Sequence, residues 1–428
     1  MRASDEAIAG VSSSSPTDAI ARQQLPNGAL LLAKERPTSG VVALTVALRS
    51  GARDEPEEEA GARNLLARAH LLGTERWPTE DALRRAIGVT GGGIGVAASH
   101  EITTISVTVP ADEQQLAFEV LADILNAPRF AADQIERDRN LVRIEIQRRS
   151  ADPAPLAFDT LVETVWRGHP GGHPVLGRPE TIDRIDRDRL LALRQQAFVG
   201  ANTTVAVVGQ IAAERAFAAL EQVVGPLPAG TPADRTPCPI PPRASDERIE
   251  RVAGQRQALV VIGLPTPGRR DPDRYALAII DAVLGSPSGR LFAEIRTRRA
   301  LAYVAGSGLS LLSDTGLFYA QAGTDPANVE QVIALIGDEL RRIIEQPLTA
   351  AELQAAAGQL AGRRIMAEET SGAQANQLAT LTALDCYESA EAFAEQVRRV
   401  TADDVLRVAR RYLDAGRALV IVRPAVPG

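Results

Sequence analysis

The sequence predicts an α+β protein of two homologous domains, each an antiparallel-rich sheet with helices packed on one face. Three observations carry that prediction. The chain has 428 residues, too many for one ordinary core, so two domains are the default. Residues 225–243 read G-P-L-P-A-G-T-P-A-D-R-T-P-C-P-I-P-P-R; prolines this dense suit neither a helix nor a central strand and mark a linker near the middle. The flanking segments also repeat. N-A-P-R-F-A-A-D-Q-I-E-R matches E-Q-P-L-T-A-A-E-L-Q-A-A with Pro128 and Pro347 219 residues apart, and a second matched pair, Asp188 and Asp403, lies 215 apart. Similar offsets at distant points indicate duplication of a unit of about 210 residues. The implied organisation is a disordered segment over 1–20, a first domain over 21–224, a Pro-rich linker over 225–250 and a second domain over 251–428.

Taken along the chain, V-V-A-L-T-V-A-L-R-S (41–50) is β-branched and apolar, and E-I-T-T-I-S-V-T-V-P (101–110) alternates with period two; both predict strands. A helical stretch from Asp186 leads into the buried strand T-T-V-A-V-V-G (203–209). In the second half, Q-A-L-V-V-I-G-L (257–264) and G-L-F-Y-A-Q-A-G (316–323) predict strands. There T-A-D-D-V-L-R-V-A-R-R-Y-L (401–413) leads into R-A-L-V-I-V-R-P (417–424), again helix, short loop, strand. Strand runs separated by helices are the pattern of layered α+β folds.

Composition narrows the function. Net charge is −7, and Lys34 is the single lysine among 47 basic residues. No long basic run marks a nucleic-acid partner. No apolar stretch approaches the roughly 18 residues of a membrane span, and the N-terminus lacks a signal-peptide core, so the expected compartment is the cytoplasm, or the periplasm if a leader has been removed. Cys238 and Cys386 are far apart and no C-x-x-C occurs, which excludes a cysteine zinc site on spacing.

Residues 60–74 read A-G-A-R-N-L-L-A-R-A-H-L-L-G-T, and residues 285–303 read G-S-P-S-G-R-L-F-A-E-I-R-T-R-R-A-L-A-Y. From L-P-N-G near residue 25 to the last strand, the chain resembles the pitrilysin family of zinc metallopeptidases. The family's H-x-x-E-H would fall on N-L-L-A-R. In that motif two histidines at i and i+4 share a helix face and bind one zinc ion, while the glutamate activates bound water. Here the three positions are Asn64, Ala67 and Arg68: a poor ligand, no base, and a cation where the metal would sit. The resemblance places the third ligand on Glu145 and a supporting acid on Asp138, so Glu145 is expected to pair with Arg68. No zinc is expected in this chain.

Other histidines offer no rescue. His70 is six residues past Asn64 and well round the helix, His100 opens a strand, and His169 and His173 bracket a helix-breaking P-G-G. All four read as structural.

The second segment is similar to the family's other signature, with Arg296 and Tyr303 in R-x-x-x-x-x-x-Y; Ala300, where many relatives have glycine, is a mild departure. The resemblance implies that these two residues face the zinc of a different subunit, where a tyrosine hydroxyl can stabilise an oxyanion and an arginine can hold a peptide carbonyl. It also implies that Gly95, Val96, Ala97 and Ala98 belong to an edge strand able to pair with peptide. The expected function is therefore that of a non-catalytic subunit, inactive alone. Its expected partners are a homologous H-x-x-E-H subunit that holds the zinc, in a heterodimer, and a peptide substrate. The alternatives are a non-catalytic scaffold and a peptide-binding homodimer.

Overall fold

The computed structural model describes residues 19–234, 237–238, 245–254 and 257–425. The segment expected to be disordered therefore lies almost wholly outside the described residues, as does part of the Pro-rich linker. The first sheet is ordered β1 (Ile20–Gln24), β2 (Leu30–Glu35), β6 (Thr203–Gly209), β3 (Val41–Leu48), β5 (Thr103–Pro110), β4 (Gly93–Ala98). The second is ordered β7 (Glu247–Ala253), β11 (Ala418–Pro424), β8 (Ala258–Pro267), β10 (Thr315–Thr324), β9 (Ala302–Leu311). Apart from β1 the two orders are the same. In each, one parallel pair, β2 with β6 and β7 with β11, joins an early strand to the last, and every other pairing is antiparallel. The sequence repeat is thus a repeat of topology.

Helix boundaries follow local chemistry. Asp186 caps the Arg187–Ala197 helix by accepting from the Arg189 amide, and Thr401 caps the Ala402–Tyr412 helix in a capping box with Asp404. Pro128 and Pro347 both lie just ahead of long helices, Ala132–Ala151 and Ala350–Ala367.

Each sheet is covered on both faces, which extends the expectation of helices on one face only. On β3, Val42, Leu44, Val46 and Leu48 enter the core of their own half, while Ala43 and Ala47 turn the other way. That second face packs on Ala375, Leu378, Ala379 and Ala383 of the Ser371–Ala383 helix, which comes from the other half of the chain. The exchange is reciprocal. Ala157, Leu161, Val162 and Val165 of the Pro153–Val165 helix pack on Val261, Leu317, Val420 and Val422 of the second sheet. Small residues permit the close approach: a Cβ on Gly263 would stand 2.7 Å from a Leu161 methyl.

The turn between β9 and β10 adds a polar joint. Arg53 donates to both carboxylate oxygens of Asp314 (3.0 and 2.8 Å) and to Glu101 (2.8 Å). Glu101 accepts from the Ser313 amide (2.9 Å) and hydroxyl (2.5 Å). These side chains are buried. Against the opposing effect of burial, His169, Arg53 and the Cys238 amide hold the Asp314 carboxyl well below the usual carboxylate range. Trp166 of the first half also donates to the Gly316 carbonyl (3.3 Å).

Candidate functional site

The N-L-L-A-R segment lies in the short helix Ala62–Ala69. Gly61 precedes it at φ 96°, and a Cβ there would stand 2.7 Å from the Leu176 carbonyl oxygen, so only glycine admits this entry. Glu55 accepts from the Gly61 amide (2.9 Å) and from the Arg63 amide, satisfying two otherwise orphaned donors of the helix start. The helix packs against β4, β5 and the Ala132–Ala151 helix.

The structure refines the expected ion pair. Arg68 bonds chiefly to Asp138, through Nε at 3.0 and 2.8 Å and Nη2 at 2.6 Å, and reaches Glu145 only at 3.5 Å. Depth explains the preference: the Asp138 side chain is 8% exposed and that of Glu145 is 51% exposed. Hydrogen bonding to Asp138 raises the Arg68 pKa further, with burial opposing. Asn64 is buried beside this pair with its Nδ2 donor unpartnered. The residues at the motif positions thus present N–H donors and a cation where zinc requires lone pairs, and Ala67 offers no base; they do not fit zinc. Among the described residues no group of three or more His, Cys, Asp and Glu side chains gathers as a metal would require. A cavity of ≈ 450 Å³ beside Glu145 is lined also by His100, His173, Arg149 and Arg251.

The histidines lie in structural settings. His70 is fully buried, stacks on Phe198 at 4.0 Å, and makes a 2.8 Å bond from Nδ1 to the Leu66 carbonyl. A carbonyl only accepts, so the neutral ring carries its proton on Nδ1, and burial pushes its pKa down to about 3. His100 lies in the turn before β5, edge-on to Trp166, with burial lowering its pKa. Nδ1 of His169 accepts from the Gly171 amide (2.8 Å). His173 ends the short 3₁₀ turn Pro170–Gly172. Cys238 is exposed, Cys386 is buried and both are free.

Arg296 and Tyr303 come together on the surface. The Arg296 guanidinium stands 5.0 Å from the Tyr303 ring centre and 4.8 Å from that of Phe292, within cation–π range of both. Neighbouring charges are committed elsewhere. Arg290 pairs with Glu352, and Arg298 and Arg299 share Glu294. Arg296 has no carboxylate partner among the described residues. Tyr303 is 70% exposed, where strand packing would bury it.

Three backbone irregularities crowd this segment. Phe292–Arg298 is a π-helical turn, a form that concentrates at functional sites. Ala300 has φ 54°, in the left-handed region that side chains disfavour. This corrects the view of Ala300 as a mild departure: glycine would sit there without strain, and alanine does not. Finally, β9 pairs Val304 with Gly323 and Ala302 with Thr324, leaving Tyr303 as the extra residue of a β-bulge. The bulge breaks the alternation of the strand and turns Tyr303 and Val304 outward together, between buried Ala302 and Ala305. None of the three is visible in a periodicity count; the signal in the sequence was the spacing of Arg296 and Tyr303 together with the S-G-R-L-F-A-E-I-R and L-A-Y residues around them.

Gly95, Val96, Ala97 and Ala98 lie in β4, the outer strand of the first sheet, which pairs on one side only, with β5. Its free edge has a weak donor, Arg84, at 3.4 Å from the Ile94 carbonyl.

Comparison with known proteins places this geometry in context. Residues 30–178 match the family model described as insulinase (peptidase family M16), and residues 184–360 match that described as peptidase M16 inactive domain. Proteins named uncharacterized zinc proteases are similar over nearly the whole chain. The Streptomyces coelicolor one is 28% identical across 95% of this chain and 90% of its own, and that of Bacillus subtilis strain 168 is 24% identical across 95% and 98%. In fold, a protease from Helicobacter pylori matches with a TM-score of 0.87 at 19% identity, covering 95% of this chain and all of that one. A peptidase M16 inactive domain from Pseudomonas fluorescens matches with a TM-score of 0.87 at 22% identity, covering 95% and 98%.

Proposed function

The chain belongs to the M16 peptidase family along both of its halves, and from that membership we propose that it is the non-catalytic subunit of a heterodimeric zinc metallopeptidase acting on peptides or unfolded segments. The observation that carries the reading is the strained segment 292–304, which holds an uncommitted Arg296 against an exposed Tyr303. Strain of this kind persists where the surrounding structure enforces it, and it gathers at functional sites. The residues at the zinc-motif positions of this chain hold a salt bridge instead.

In this reading an H-x-x-E-H subunit supplies zinc and the hydrolytic water, and this chain supplies the opposite wall. Tyr303 donates its hydroxyl hydrogen to the oxyanion that forms at the scissile carbonyl. Arg296, held by two aromatic faces, binds the peptide nearby and adds positive potential. The strand β4, with Gly95 to Ala98, offers a second surface for extended peptide.

The test is reconstitution. The chain alone should neither cleave an unfolded peptide nor retain zinc after dialysis, and mixing it with the homologous zinc-motif subunit of its host should produce cleavage that neither shows alone. A stable complex without any gain in cleavage would favour a scaffold, and self-association with no complex would favour a peptide-binding homodimer.

A further inference from the structure

We propose that a cavity among the helices of the second half binds a free apolar α-amino acid, whose ammonium donates to Glu339 and whose carboxylate accepts from Arg290. The site goes beyond the subunit role proposed above and does not depend on it.

The cavity, of ≈ 460 Å³, lies between four helical segments. The Asp273–Gly285 helix lends it Ala282 and Val283, the turn Phe292–Arg298 lends Ala293, the Ala350–Ala367 helix lends Ala355 and Ala356, and the Val329–Glu345 helix lends Glu339. A space of this size falls within the range of small-molecule sites.

The first argument is Glu339. The buried stripe of its helix runs through Val332, Leu335, Ile336, Glu339, Leu340 and Ile343, so a carboxylate stands where the helical period calls for an apolar residue. Glu339 is 8% exposed, and its Oε2 has no hydrogen-bond partner among the described residues. Arg342 approaches the other oxygen only to 3.7 Å. A buried charge without a close partner is costly, and a ligand cation answers it.

The second argument is Arg290, at the entry to the Phe292–Arg298 turn. Its Nε and Nη2 donate to Oε1 of Glu352 at 2.9 and 2.7 Å. The other Glu352 oxygen accepts from the Thr349 amide (3.0 Å) and hydroxyl (2.8 Å), so both oxygens of that carboxylate are engaged. Nη1 of Arg290 is buried and has no partner among the described residues. Glu294, also in the cavity wall, is held by Arg298 and Arg299.

The third argument is balance. Glu294, Glu339 and Glu352 line the cavity together with Arg290, Arg298 and Arg342, three charges of each sign. A ligand of net charge would upset that balance. A zwitterion keeps it, while giving Glu339 a donor and Arg290 an acceptor. A carboxamide offers the same donor and acceptor without charge, and ionised partners form the stronger bonds. The small apolar side chains of the wall suit an apolar side chain on the ligand.

The experiment uses the full chain alone. Glycine, L-valine and L-leucine would be titrated calorimetrically, followed by N-acetyl-L-leucine, which lacks the ammonium, and L-leucinamide, which lacks the carboxylate. Valine or leucine should bind more tightly than glycine, and each blocked leucine should bind about ten-fold more weakly than leucine, since it leaves one buried group unanswered. Glu339→Gln should bring leucine and N-acetyl-L-leucine to similar affinity. Arg290→Lys, which keeps a cation against Glu352, should do the same for leucine and L-leucinamide. Bound leucine should slow hydrogen exchange of the amides in 290–298. Heat from none of the three amino acids, blocked leucines that bind as well as leucine, or a preference for free leucine that survives both substitutions would each overturn the proposal. No outcome depends on turnover in a reconstituted enzyme, so this site can fail while the shared site stands, and the reverse.

Discussion

At the scale of single residues, the two most informative positions carry costs. Ala300 sits in the left-handed region at φ 54°, where a side chain is disfavoured by roughly 1–2 kcal/mol. Ala300→Gly should therefore stabilise the chain by about 1 kcal/mol, after the extra entropy glycine carries in the unfolded state is deducted. A rise in the urea midpoint at constant m-value would show it. A fall would mean that the left-handed backbone is not strained. His70 gives a pH signature. Its folded pKa, about 3, lies below its ordinary 6.5, so the unfolded chain takes up the proton first as pH falls. The stability His70 contributes is whole above pH 6.5 and is lost below it at up to about 1.4 kcal/mol per pH unit. Between pH 6.5 and 5 the loss approaches about 2 kcal/mol, and His70→Phe, which keeps the stack on Phe198, should flatten that slope in denaturation measured across the range. That Asn64, Ala67 and Arg68 supply neither a pair of histidine ligands nor a base was legible in the sequence, because residue identity alone decides lone-pair chemistry. The preference of Arg68 for Asp138 over Glu145 was not, because it depends on relative depth.

At the scale of elements, the strands with clear alternation or apolar runs were legible: β3, β5, β6, β8, β10 and β11 lie where the sequence expects them. The bulge at Tyr303 and the π-helical turn were not, because both are set by how a segment is fitted between others. The exchanged helices were equally hidden. The Ala-rich face of Ser371–Ala383 is as suited to its own half as to the other, and only the fold shows Ala43 and Ala47 beneath it. The β9–β10 turn is the most consequential of these joints. Asp314→Ala would leave Arg53 buried with Glu101 as its only acid, and breaking a buried pair from one side typically costs about 3–5 kcal/mol. Chemical denaturation should show a loss of that size, with hydrogen exchange at 311–316 rising most. A loss under 1 kcal/mol would show that the joint is ornamental.

At the scale of the whole molecule, one chain holds a complete duplicated frame whose two halves have diverged in chemistry. The first holds a salt bridge in the short helix where the resemblance puts a zinc motif. The second spends backbone strain on presenting an arginine and a tyrosine to open space. Neither half explains the other within this chain; the proposed H-x-x-E-H partner facing Tyr303 would account for both. The most direct test is the turnover of the reconstituted heterodimer with Tyr303→Phe, which removes one hydroxyl and leaves the ring stacked beside Arg296. Loss of one oxyanion donor costs about 2.7–4 kcal/mol, so kcat should fall roughly 10²- to 10³-fold with the complex and KM little changed. A heterodimer that cleaves with undiminished kcat would contradict the account.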